Sequence, residues 1–513
     1  MSKSSPSIIL TADETMMSQY RGGIFTGFTM CAPSGILPDW IFFHAFGPPV
    51  SRRKGRALFA DCGIRSIEAS LLHSGFSEDE VAVVHPRDLS RVAGRDTRIV
   101  SVSGHDFLGI NPPTSTFADF IRSGPPYNRM KFLELMHNPI MRRVTTVAGG
   151  KSAWQLASPY LMERLGIDHV HLGEGERTVP RAFAAILAGE EVPPIIAGEE
   201  VPVEEIPPLV HPTIHGLVEC SRGCGRGCAF CTPTLQSLRH KPADQIIHDV
   251  TVNALGGNRS ILLHAEDMLC YGGRPLHPEP ERLLSLVRRT GAVEGVANIG
   301  FSHIALASVY HHPGMVRELS EYLATLPDEP YIGVQTGIET GSARLIAQHM
   351  RGKPAPAHPD EWPEIVVQAL GLLHDLNWVI AGTLVAGLPG ETGDDVQASL
   401  ELMDRIRGLR VLVVPLNFVA MDQARLSDHD SFTAEKMTPA HWQLYGACIE
   451  HDIRIGRELT DLMVGGNIIT RILGTFALRY IIRGGERYAR ALKEGHPPAD
   501  FDPGEPSFLV PDL

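Results

Sequence analysis

Cys224, Cys228 and Cys231 stand in a C-x3-C-x2-C spacing within Arg222-Gly-Cys-Gly-Arg-Gly-Cys-Ala-Phe-Cys231. Thiolates this close on one loop can wrap one metal centre. Three are one too few to close a four-iron cluster, so one iron would keep open coordination and could bind and activate a small molecule. Gly223, Gly225 and Gly227 permit the tight turns that converging thiolates need. A zinc site wants four ligands, usually as two pairs. Cys220 would have to turn back from the preceding strand to be the fourth. A purely structural role for the cysteines is the remaining alternative.

Composition narrows the setting. Eight cysteines in 513 residues, four of them between 220 and 231, do not make a disulfide framework and suit a reducing cytosol. The formal charge of -13 argues against nucleic acid as a partner, because phosphate binding needs a basic face. No apolar run reaches the roughly 18 residues that span a bilayer. The N-terminus lacks an apolar secretory core. A cytoplasmic protein with no membrane partner is expected.

The elements that must position the cysteines form two alternating series. Arg56–Ala60, Val81–Val84, Thr97–Ser103, Val144–Val147 and His169–Leu172 are short apolar runs with helical patterns between them. Several end in glycine or polar turns, which predicts a doubly wound parallel sheet with ligands at its carboxyl edge. Prolines 193, 194, 202, 207, 208 and 212 mark an extended linker. Six further runs, from 214–219 to 410–419, predict a partial (β/α)6 barrel with the cysteine loop after its first strand. Helical patterns then run over Pro439–Glu458, Leu459–Gly474 and Phe476–Glu494, with Cys448 in the core. The expected organisation is α/β. It comprises an N-terminal extension or lid over 1–55, a Rossmann-like domain over 56–192, a linker over 193–213, the barrel over 214–430 and a helical region over 431–513.

The cysteine run resembles the signature of the radical S-adenosylmethionine (SAM) enzymes. Gly337-Ile-Glu-Thr-Gly-Ser342 and Gly387-Leu-Pro-Gly-Glu391 resemble that superfamily's fourth- and fifth-strand motifs. The resemblance implies a [4Fe-4S] cluster on Cys224, Cys228 and Cys231. SAM would chelate the open iron and be cleaved to a 5′-deoxyadenosyl radical. Phe230 would meet the adenine. Glu266, beside Asp267, would meet the SAM ammonium, although His-Ala-Glu-Asp replaces the Gly-Gly-Glu type of many relatives. Gln335, Glu339 and Ser342 would meet the ribose and carboxylate, and Arg344 would pair the carboxylate or a helix neighbour.

The N-terminal part resembles the cobalamin-binding domain found ahead of many radical SAM domains. Gly149, Gly150 and the turn Gly173-Glu174-Gly175-Glu176 would let backbone approach the cofactor's nucleotide tail. Ser103, Gly104, His105, Asp106 and Leu108 would pack under the corrin. Ser103-Gly-His-Asp-Phe-Leu-Gly109 departs from D-x-H-x-x-G, so His105 is not expected to ligate cobalt. Together these resemblances imply a cobalamin-dependent radical SAM C-methyltransferase acting on an unactivated sp3 carbon. It would use two SAM per turnover, an electron donor such as ferredoxin or flavodoxin, and a substrate held between the domains. Similarity to members of this class from archaeal methanogens points to post-translational modification of a protein, with the glutamine of the methyl-coenzyme M reductase alpha subunit as candidate. Alternatives are a small metabolite or lipid precursor as substrate, or a non-catalytic cobalamin and iron–sulfur sensor. A methylthiotransferase would need a second cluster, and the sequence holds one triad.

Overall fold

The computed structural model describes residues 5–20, 30–36, 38–121, 123–328, 331–459 and 483–497. The N-terminal sheet contains β1 (Ile8–Ala12), β2 (Val81–Val83), β3 (Ile99–Ser103), β4 (Thr145–Gly149), β5 (His169–Leu172) and β6 (Ile195–Ala197). All are parallel, in the order β2-β1-β3-β4-β5-β6. The order reverses between β1 and β3. In doubly wound sheets that crevice is where ligands bind.

Two expectations are corrected here. Residues 8–12, expected in an extension or lid, form an interior strand, while Arg56–Ala57 makes only a two-residue hairpin outside the sheet. All five residues of β1 are buried, so β1 shows none of the in–out alternation that flags a strand. Ile195–Ala197, expected in the linker, pairs parallel with β5 and closes the sheet edge. Beyond it the connector is largely extended, with a single 3-10 turn at Val203–Glu205.

The second sheet contains β7 (Leu217–Glu219), β8 (Ser260–His264), β9 (Asn298–Phe301), β10 (Ile332–Glu339), β11 (Trp378–Ala386) and β12 (Val411–Asn417). Ladders join β7, β8 and β9, and separately β10, β11 and β12, all in parallel. A parallel bridge from His303 to Gln335 stitches the halves together. Helices over Ala243–Leu255, Pro280–Gly291, Trp362–Asp375 and Gly393–Arg405 cover the outside. Their apolar faces and the strands form one continuous core, in which Trp362 and Trp378 are wholly buried. The Trp362 indole N–H donates to the carbonyls of Ile338 and Thr340, both at 3.1 Å, so its burial leaves no polar group unmet.

The helix Pro439–Glu458 matches its expected limits and opens with a capping box of Thr438 and His441. Residues 483–493 are helical. The remainder of the two later expected helices falls on residues 460–482, outside those described. Cys448 is buried in the barrel core. The helix Pro112–Ile121 of the first domain docks on the end of β12 and on this C-terminal helix. Phe120 stacks on Tyr445 at 4.8 Å, and the Asn417 N–H donates to Thr116 Oγ1 at 2.8 Å. Among the described residues, no helix is long and apolar enough to cross a membrane.

Candidate functional site

The cysteine loop leaves β7 at the carboxyl edge of the barrel. Cys220 still belongs to the strand side: its N–H donates to the His264 carbonyl at 2.7 Å, and its own carbonyl accepts from Lys241 at 2.9 Å. Its thiol is wholly buried, 3.6 Å from the Val218 carbonyl. Gly223, Gly225 and Gly227 adopt φ of 77°, 76° and 75°, the left-handed region that the sequence demanded of them. Several bonds fix the loop. The Gly227 N–H donates to Thr234 Oγ1 at 2.6 Å, and the Ala229 N–H donates to the His349 carbonyl at 2.8 Å. Burial raises the pKa of the Cys224, Cys228 and Cys231 thiols, and the Cys228 sulfur raises both of the others. The three groups therefore sense one another. Among the described residues no three metal-binding side chains converge on a point that a single ion could occupy. Phe230 is half-buried against the barrel core.

Around this loop the barrel mouth is polar. Glu339 sits at φ 64°, where the β10–β11 register shifts, and its carboxylate folds back over Gly337. A Cβ at Gly337 would lie 1.8 Å from that carboxylate, so the glycine of Gly-Ile-Glu exists to admit it. Glu339 pairs with Lys353 at 2.9 Å and accepts from Thr383 at 3.1 Å. The Lys353 cation favours the thiolate of Cys228 against the burial that opposes it. Gln335 bridges the two half-barrels by backbone and bonds His303 by side chain. Glu266 lies 3.8 Å from Lys151, which comes from the loop after β4 in the other domain. Burial opposes ionisation of Glu266, but Lys151, His303 and His264 hold its pKa below the usual range. Burial pushes His264 down to about 4.

Two expected SAM contacts are occupied otherwise. Ser342 caps the helix Ala343–His349 by accepting from Leu345, and donates to Asp395 at 2.5 Å. Arg344 pairs with the same Asp395 and donates to the Gly390 carbonyl at 2.7 Å. It joins the ends of the two motifs to each other. The Gly387 N–H donates to Glu391, which also meets His441 at 3.0 Å, so the second motif anchors the C-terminal helix.

At the carboxyl edge of the first sheet, His105 follows β3 beside the topological switch, half-exposed and 3.3 Å from Asp61. Partial desolvation opposes protonation of His105, yet Asp61 raises its pKa overall. Asp13, just after β1, is raised by burial to about 6. Neither aspartate was singled out in the sequence; the strand that places Asp13 was unread. Asp106 and Leu108 are internal supports. The Asp106 carboxylate accepts from the Ile110 and Asn111 N–H groups, and the buried Leu108 donates its N–H to Gln155. Ser103 is half-buried. Gly104 abuts Gly150, where a Cβ would lie 2.7 Å from the Gly104 carbonyl. Beside Gly149 a Cβ would meet nothing closer than 3.9 Å. Gly149, Gly150, Lys151 and His105 thus present an accessible edge towards the barrel.

The turn Gly173-Glu174-Gly175-Glu176 has another occupation. Glu174 accepts from Arg222 at 2.9 Å, from Arg239 and from the Val201 N–H, and Glu176 pairs with Arg222 at 2.5 Å. Glu219 also pairs with Arg222, at 2.9 Å. A Cβ at Gly175 would strike Ile67 and Val179. The two carboxylate side chains of this turn fasten the domain to the residue two places before Cys224. Arg222 opens the cysteine run in the sequence, but its partner 48 residues earlier left no local signal.

Comparison with known proteins follows the same division. The family model described as the radical SAM superfamily matches residues 218–403, from β7 into the helix after β11. A tRNA-2-methylthio-N(6)-dimethylallyladenosine synthase from Magnetococcus marinus is 26% identical over 267 residues, 50% of this chain and 55% of the relative. The ribosomal protein uS12 methylthiotransferase RimO from Thermus thermophilus is 27% identical over 217 residues, 39% and 45% of the two chains. The chain spans about half the length of these curated relatives. Among solved structures, the radical SAM methyltransferase TsrM from Kitasatospora setae, with cobalamin and a [4Fe-4S] cluster bound, aligns at a TM-score of 0.47 and 14% identity. That alignment covers 82% of this chain and 74% of the other. The bacterial relatives add nothing to the archaeal reading.

Proposed function

We propose that this protein is a cobalamin-dependent radical SAM C-methyltransferase, and that Cys224, Cys228 and Cys231 hold its [4Fe-4S] cluster. The observation that carries the proposal is the meeting of two parallel-sheet carboxyl edges, spanned by Lys151 and Glu266, with the cysteine loop beside the junction. The superfamily match over 218–403 supports the cluster and SAM. A bound cluster supplies an electron for SAM cleavage, and bound cobalamin supplies the methyl group.

The chain's own residues do the rest. The loop bonds hold three thiols in place, and Lys353 offsets part of the cost of burying their charge. Glu266 offers an ionised carboxylate to an ammonium. Phe230, Gln335 and Glu339 line the mouth where a SAM molecule would lie. The exposed edge of His105, Gly149, Gly150 and Lys151 fits a planar cofactor laid across the switch, with the His105 Nε2 engaged by Asp61. A substrate between the two centres would be a residue of a protein, with the glutamine of methyl-coenzyme M reductase as candidate, and a ferredoxin or flavodoxin would donate the electron.

Hydroxocobalamin binding tests the two-cofactor reading. Anaerobic protein should retain the cofactor through gel filtration, and His105→Ala should leave its visible spectrum unchanged. Protein that retains none removes the basis for methyl transfer from cobalt. Mass spectrometry of candidate substrate proteins, with and without the enzyme, tests the substrate by a one-methyl increment on carbon.

The curated relatives favour a second reading, methylthio transfer. The free cysteines outside the triad are Cys31, Cys62, Cys220, Cys270 and Cys448, scattered over both domains without a second triad spacing. That distribution argues for the first reading.

A further inference from the structure

Arg226 lies midway between Cys224 and Cys228 in the chain, and its side chain turns inward. It is 6% exposed. Its Nη2 donates to Asp267 Oδ2 at 2.7 Å and to Ser308 Oγ at 2.8 Å, and its Nη1 to the Lys353 carbonyl at 3.1 Å. Asp267 also accepts from Ser308 at 2.7 Å and from the Ala305 N–H at 3.1 Å. The Cys270 thiol stands 3.3 Å from the same carboxylate. The Arg226 carbonyl is packed so closely that a Cβ at Gly352 would lie 2.1 Å from it. One side chain thus ties the cysteine loop to the turn after β8, to the helix Leu306–His311 and to the segment around Lys353.

A dry guanidinium and its carboxylate have a further consequence. In a low-dielectric site fixed charges act strongly on a neighbouring group that gains an electron. The levers on an iron–sulfur potential are net charge, hydrogen bonding and burial. The cation belongs to the cysteine loop itself, while the anion belongs to the turn beneath it. The cation should therefore dominate, and each member should push in its own direction.

We infer that Arg226 and Asp267 are a positioning pair that fixes the cysteine loop and sets the reduction potential of the cluster it holds. Arg226 favours the electron-bearing form and Asp267 opposes it. The inference rests on the cluster assignment proposed above. Arg226 touches neither SAM nor substrate in this account and acts through the loop.

The test is an EPR-monitored redox titration of full-length, anaerobically reconstituted protein, with iron content measured alongside. Asp267→Asn should shift the midpoint potential upward and Arg226→Gln downward. Arg226→Lys, which keeps the charge but loses the planar fork, should stay nearer the wild type in potential while retaining less iron. Cys270→Ser should shift neither quantity. If Arg226→Gln holds no iron, Asp267→Asn decides by its upward shift and Arg226→Lys by a potential near the wild type. Shifts of the same sign in Asp267→Asn and Arg226→Gln, or no upward shift in Asp267→Asn, overturn the inference while leaving the cluster assignment standing. Wild-type protein that takes up no iron overturns both.

Discussion

Two glycine-rich turns follow parallel strands within about fifty residues of each other. Gly173-Glu-Gly-Glu176 leaves β5, and Gly223 to Gly227 leave β7. Both turns use glycines with positive φ. They differ in what their other residues do. In the first turn two carboxylates are spent on Arg222 and Arg239 of the neighbouring domain. In the second, the three thiols stand close enough to sense one another, and the charged residue between two of them, Arg226, is paired with Asp267. Glycine spacing specifies a backbone path. Whether the path cradles a ligand or a domain depends on side chains that arrive from far along the chain.

The widest break in that comparison comes from the thiols themselves. Cys228→Ala should abolish iron retention and reduce SAM cleavage to background. Cys220→Ala should leave both intact, because that thiol is held on the strand side. Iron analysis and 5′-deoxyadenosine release measure the pair.

The next effect falls on the docking turn. Arg222→Ala would leave Glu174, Glu176 and Glu219 together in a nearly dry joint. Removing one partner from a buried ionic group costs about 3–5 kcal/mol. Thermal unfolding should show that loss, and limited proteolysis should find the linker more readily.

Acid should loosen the same joint. Burial works against ionisation of Glu219, but Arg222 holds it at about 2, against an ordinary value of 4.5. Glu174 is likewise held low, by Arg239 and Arg222 against burial. A depressed carboxylate contributes stability that is complete above the unfolded value and lost as pH falls through the folded one. Denaturant midpoints should therefore fall between about pH 5 and pH 2, and the Glu219→Gln protein should fall less steeply over that window.

The smallest effect separates structural from cofactor residues at the barrel mouth. Ser342→Ala removes a helix cap and should cost about 1 kcal/mol. It should leave SAM affinity unchanged, as should Arg344→Ala. Glu266→Gln should weaken SAM binding without a comparable loss of stability. Calorimetric titration with SAM distinguishes the three.

Much of the fold was legible because buried parallel strands read as short apolar runs closed by turns. Val81–Val83, Ile99–Ser103, Thr145–Gly149 and all six barrel strands lie where such runs fall. Ile8–Ala12 was not legible, because no helix of regular pattern follows it to mark a strand–helix unit. With it went the switch point and the place of Asp13. The cysteine loop was legible because its ligands are neighbours in sequence. The protein partners of Arg344, Ser342, Glu174 and Glu176 were not legible, for the opposite reason. Those partners, Asp395, Arg222 and Arg239, lie 46 to 65 residues away. A polar residue at a strand's carboxyl end is equally well placed for a cofactor and for another loop.

The central claim is that an open-iron cluster on this loop cleaves SAM. The direct measurement is 5′-deoxyadenosine formed when anaerobically reconstituted full-length protein is mixed with SAM and a strong reductant. The account predicts release by the wild type and by Cys220→Ala, and none by Cys228→Ala. Equal release from Cys228→Ala, or none from an iron-loaded wild type, would contradict it.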